Sequence, residues 1–160
     1  MPTLKKRRKI KRRKSLNDMA TDLIHRIDIF APLEKIYDAI ATEDGIRAWW
    51  TKDVKLDRHI GGHAVFGFFD HTTVFKMQIE QLIPPVIVRW KCVDGNSLDW
   101  IGTTQEFKLE PQTDGVLLKF CHGGWERGGD HCYFCNTTWG HLLVGLKTYV
   151  EQGVKNPYFV

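Results

Sequence analysis

Apolar and polar positions recur along this chain with two different periods, and each change of period marks an element. The longest helical pattern lies late, in HCYFCNTTWGHLLVGLKTYVEQG over 131–153. There Trp139, Leu142, Leu143, Leu146, Tyr149 and Val150 recur at steps of three and four, which predicts a long helix with one apolar side. Lys147 suits the carbonyl end of that helix, and Gly153 suits the residue just past it. Residues 23–30 instead step by two, with Leu23, His25, Ile27 and Ile29 on one face of a strand. A short helix over 32–41 follows, carrying Ile36, Ala39 and Ile40. Thr42 caps a second short helix that bears Ile46, Trp49 and Trp50. One of the paired tryptophans is expected in the core, and the other is free to line a cavity.

Period two returns in 53–56, 64–69, 73–82, 86–92, 100–110 and 116–122. The inward faces read Phe75, Met77, Ile79; Val86, Val88, Trp90, Cys92; Ile101, Thr103, Gln105, Phe107, Leu109; and Val116, Leu118, Phe120, His122. Gly-, Pro- and Asp/Asn-containing turns separate these runs, so the sheet is predicted mostly antiparallel and strongly curved. GGWERGGD, over 123–130, reads as a flexible lead into the long helix. The fold class is α+β: strand, two short helices, about six strands, then a long helix that covers the sheet.

Charge divides the chain. Nine of the 23 Lys and Arg fall within residues 5–14, which leaves 14 basic against 19 acidic side chains elsewhere. The remainder is mildly acidic, so the whole-chain charge of +4 is no nucleic-acid footprint for the domain. Residues 1–20 are expected to be a disordered leader, 21–153 the domain and 154–160 a tail. Three readings stand for the basic run: extra residues ahead of a natural start at Met19, an arm for nucleic acid or an anionic surface, or a nuclear address. No stretch approaches a membrane span and no secretory core follows the basic start, so the expectation is a cytoplasmic protein.

Candidate chemistry is sparse. Cys132 and Cys135 form a C-x₂-C half-site, with His122 and His131 near in sequence; that set suits zinc, but a second such pair is missing. Buried thiols fit the same spacing, as does a redox pair, and no cofactor is expected. His25, His122 and Gln105 are the inward polar residues an enzyme would use, with Asp99 and Glu106 as further polar candidates; Glu106 should face solvent. No Ser-His-Asp order, nucleophile elbow or phosphate loop occurs.

The order of elements resembles the START/Bet v 1-like (SRPBCC) superfamily, and within it the group related to the activator of Hsp90 ATPase C-terminal domain. The resemblance rests on APLEKIYDAIATEDGIRAWW, Gly61-Gly62 before a strand, Trp90, Gly102-Thr103 leading to Phe107, and the Trp139…Leu142-Leu143…Leu146-Lys147…Tyr149…Glu151-Gln152-Gly153 helix. It implies a helix-grip fold, a curved antiparallel sheet wrapped around the C-terminal helix with a cavity between them. It also implies binding of a small apolar molecule, with Trp50, Phe66, Phe68, Phe75, Met77, Trp90, Phe107, Phe120, Trp139 and Leu143 as expected lining. Two alternatives follow from the same resemblance: a cyclase- or hydrolase-like enzyme using the inward histidines, and a chaperone-interacting module.

Overall fold

The computed structural model describes residues 21–160, and the basic run at 5–14 lies outside them. The elements are β1 (Thr21–Ile29), α1 (Leu33–Ala41), α2 (Glu43–Trp49), β2 (Val54–Leu56), β3 (His63–Phe68), β4 (Thr73–Ile83), β5 (Ile87–Gly95), β6 (Thr104–Gln112), β7 (Gly115–Trp125) and α3 (Asp130–Gln152). All seven strands form one sheet in the order β1-β7-β6-β5-β4-β3-β2, with every neighbouring pair antiparallel. This is the α+β helix-grip architecture expected from the sequence. The register shifts between Lys76 and Met77 and again between Ile79 and Gln81, and such irregularities bend a sheet.

Local chemistry sets the helix ends. Thr42 Oγ1 accepts from Gly45 N at 3.0 Å, so α2 starts at a side-chain cap with Glu43 and Asp44 in its first turn. Gly153 stops α3 in the left-handed conformation (φ 72°), and its N–H donates to Tyr149 O at 2.8 Å. At the end of α2, residues 156–159 run alongside. Asn156, Tyr158 and Phe159 N–H groups donate to the carbonyls of Ala48, Trp49 and Trp50. Those carbonyls lack partners within their own helix, so the tail satisfies them.

The core sits between the inner face of the sheet and the three helices. Rows of facing residues cross the sheet: Val88, Phe107, Phe120 and His25 in one, and Ile79, Trp90, Gln105 and His122 in the next. Trp49 is buried and its indole N–H donates to Ala39 O at 2.9 Å, tying α2 to α1.

Two expectations differ from the structure. The strand expected over 100–110 starts only at Thr104, because 97–102 is a tight turn in which Trp100 N donates to Ser97 O and Thr103 N to Trp100 O. Gly102 takes φ +88° there, a conformation that breaks the alternation, so Ile101 is exposed rather than inward. The glycine-rich stretch expected to be a flexible lead is partly strand. β7 continues to Trp125, with Gly123 facing Thr104, and Asp22 Oδ1 accepts from Gly124 N at 3.0 Å.

Candidate functional site

An open cleft of about 330 Å³ lies between the first half of α3 and the sheet end formed by the β3–β4 turn and the 96–102 turn. Trp50, Phe68, Phe75 and Trp139, four of the residues named from the sequence, are among those that line it. Trp100 stacks on Phe75 with ring centres 4.0 Å apart and planes 16° apart, a placement made possible by the turn that replaced the expected strand. Phe69, Phe134 and Phe159 narrow the opening, and Phe159 packs edge-on against Phe68 at 4.7 Å. Cys135, Thr138 and Leu142 complete the α3 side.

Six of the expected lining residues lie elsewhere. Phe66, Met77, Trp90, Phe107, Phe120 and Leu143 are fully packed among themselves and their neighbours and do not line the cleft. Phe66 and Trp90 stand behind Trp50, with ring centres 4.5 Å and 6.1 Å from it.

The cleft mouth is polar. His131 Nδ1 lies 3.3 Å from Ser97 Oγ and 3.3 Å from Asp99 Oδ2. A catalytic relay needs the acid on one ring nitrogen and the nucleophile on the other. Here both partners meet the same nitrogen, so the trio is a hydrogen-bonding rim and not a nucleophilic triad.

His122 and Gln105 are fully buried behind this site and do not line it. Trp139 Nε1–H donates to His122 Nδ1 at 3.1 Å, which leaves the ring proton on Nε2. Thr103 Oγ1 donates to Trp100 O at 2.7 Å, so it accepts from His122 Nε2–H at 2.8 Å. The Gln105 amide nitrogen is placed 3.0 Å from that same Nε2, while its Oε1 has no partner among the described residues. Two donors repel, so the amide belongs the other way round, with Oε1 accepting from His122. Burial, with a smaller contribution from His131, holds the His122 imidazole down at about 3, and it is neutral at physiological pH. His25 faces α3 at its flank, where its Nε2 lies 2.9 Å from Asn136 Oδ1. Glu106 is half-buried on the outer face beside Arg89, 3.4 Å away.

The thiols are apolar in character. Burial pushes Cys135 and Cys92 up to about 11, and the Asp99 carboxylate adds to the rise at Cys135. Cys132 is raised for the same two reasons, burial first. Among the described residues, no three His, Cys, Asp or Glu side chains converge in a way that could hold a metal ion, so Cys132, Cys135, His122 and His131 do not form one ligand set. All four cysteines are free thiols.

A family model described as "Activator of Hsp90 ATPase homolog 1-like protein" matches residues 30–151. The chain belongs to this family. Among solved structures it is similar to the Aha1 dimer from Colwellia psychrerythraea, with 33% identity over 83% of this chain and 98% of that one, at a TM-score of 0.76. A protein from Staphylococcus saprophyticus (16% identity, 85% and 96% coverage, TM-score 0.68) shares the fold. So does an AHSA1-like protein from Aeromonas hydrophila (15% identity, 83% and 94% coverage, TM-score 0.67). No curated protein matches in sequence. Among the described residues of this family member, no helix is long and apolar enough to cross a membrane.

Several lining residues escaped the sequence reading. His131, Cys135, Thr138 and Leu142 join Trp139 at helical spacing on α3, a stripe that begins about two turns before the one read from Trp139 onward. Phe69, Asn96, Ser97 and Trp100 sit on turns, where no periodicity exists to expose them, and Asp99, already a polar candidate in the sequence, sits beside them.

Proposed function

We propose that this family member binds a small apolar molecule in the cleft between the sheet and α3. One observation carries the reading: aromatic side chains from α2, β3, β4, the 96–102 turn, α3 and the tail converge on one open space instead of closing it. A volume near 330 Å³ falls at the small end of ligand sites, which run from about 300 to 1,000 Å³. It fits a compact ring system better than a sterol. The polar rim of Ser97, Asp99 and His131 supplies the few hydrogen-bonding groups that orient a ligand in such a site.

The test is calorimetric titration with 1-naphthylmethanol, comparing the chain with a Thr138→Phe variant. Thr138 is on the cleft wall, and a phenyl ring there occupies the space. The reading expects saturable binding that weakens at least about tenfold in Thr138→Phe while the melting temperature holds. Equal binding by both proteins would place the probe elsewhere and refute it.

A second reading is favoured by the 33% identity to an Aha1 protein: contact with an Hsp90-type chaperone in the cytoplasm. Its test is saturable binding of the intact chain to purified Hsp90 with a rise in ATP turnover; no binding at micromolar concentrations would count against it.

A further inference from the structure

The charges around the cleft point to the class of molecule it selects, an inference that rests on the cleft being the ligand site. Among the described residues lining it there is no Lys or Arg, and the one carboxylate is Asp99 at the mouth. Asp99 shares His131 Nδ1 with Ser97, each at 3.3 Å. Arg127 borders a neighbouring hollow with Asp99 but makes no ion pair with it. The field of the carboxylate reaches the wall at Cys135, whose thiol it helps to raise, as it does that of Cys132, which lies outside the cleft. No cation acts on either thiol.

The rest of the wall is mostly aromatic. Ring faces carry partial negative charge and attract ammonium groups. Neighbouring rings cross steeply, Phe68 and Phe75 at 59° and Phe68 and Phe159 at 69°, so their faces point in different directions around the space. An anion would leave water to meet mostly rings and a carboxylate, and the one lining group able to carry a positive charge, His131, is already turned to Asp99. A protonated amine on a small ring system keeps its apolar body against the rings and its charge beside Asp99. We propose that the cleft selects small organic cations, ring-bearing amines or quaternary ammonium compounds, over neutral and acidic molecules of the same shape.

The experiment is calorimetry on the full chain at pH 7.5 with three probes that share one ring system: 1-naphthylmethylamine, 1-naphthylmethanol and 1-naphthoic acid. The amine is expected to bind about tenfold tighter than the alcohol, and the acid more weakly than either. Asp99→Asn should narrow the gap between amine and alcohol to about twofold. Asp114→Asn, on the exposed β6–β7 turn, should leave the gap as it is. An acid that binds as tightly as the amine, or a gap that survives Asp99→Asn, overturns the selectivity while leaving the cleft a ligand site. Failure of all three probes to bind overturns the ligand-site reading and this inference with it.

Discussion

Acidification should destabilise this protein, and His122 should carry a separable share of the loss. Its imidazole is fully buried, accepts from Trp139 through Nδ1 and donates to Thr103 and Gln105 through Nε2. A second proton would sit on Nδ1, where it would face the Trp139 N–H. Burial holds the folded-state value at about 3, against an ordinary 6.5. Because the folded value is depressed, the unfolded chain binds this proton first as pH falls. Stability is therefore unaffected by this group above pH 6.5 and declines from there towards pH 3. Two pH units of that window, from 6.5 to 4.5, correspond to about 3 kcal/mol at about 1.4 kcal/mol per unit. Urea unfolding at steps from pH 7.5 to 4.5, followed by tryptophan fluorescence, measures it against His122→Gln. The variant lacks the ring Nδ1 that accepts from Trp139, which costs up to about 1–3 kcal/mol at every pH. Other titrating groups, such as Glu43 and Glu151, contribute equally to both proteins and cancel in the difference. The wild type should lose about 3 kcal/mol more than the variant over the window. Parallel pH profiles would refute the buried, neutral assignment of His122.

Other residues give shorter tests. Thr42→Ala removes the side-chain acceptor for Gly45 N and should cost about 1 kcal/mol in a urea melt; no change would show that the cap contributes nothing. Phe159→Ala removes a half-buried ring from Phe68 and Phe69 and should cost about 1–2 kcal/mol, below the 3–5 typical of a core phenylalanine. The same variant widens the cleft mouth and should speed dissociation of a bound probe, read by stopped-flow fluorescence. Cys135 and Cys92, both pushed up to about 11, should react with a disulfide reagent at pH 8 far more slowly in the folded protein than in urea. Peptide mapping that finds Cys135 labelled at the unfolded rate would contradict this.

The strands were legible because alternation is strict wherever one face is buried. Trp90, Gln105 and His122 each read as inward from the alternation of their own strands, and the register sets the three side by side in the sheet. The helices were legible from Thr42 and Gly153, whose capping chemistry is local. Trp100 was misplaced because Ile101, Thr103 and Gln105 continue the alternation of β6 backwards, and only the φ of Gly102 interrupts it. Trp125 was misplaced for the opposite reason, since paired glycines read as a loop although Gly123 is a buried strand residue.

The site was harder to read than the fold. A solid core and a cleft wall both call for large apolar side chains, so Phe66 and Phe68 look alike in sequence although only Phe68 reaches the cleft. Phe159 comes to it through backbone bonds between the tail and the end of α2, a long-range contact with no local signature.

The most direct test of the account places a ligand among the six tryptophans. Trp50, Trp100 and Trp139 line the cleft, whereas Trp49, Trp90 and Trp125 do not. With 5-fluorotryptophan incorporated and each fluorine signal assigned by substitution, the chain is titrated with 1-naphthylmethanol. Binding in the cleft predicts the largest shifts at Trp50, Trp100 and Trp139, saturating together. Shifts centred on Trp125, or six unmoved signals at saturating probe, would contradict it.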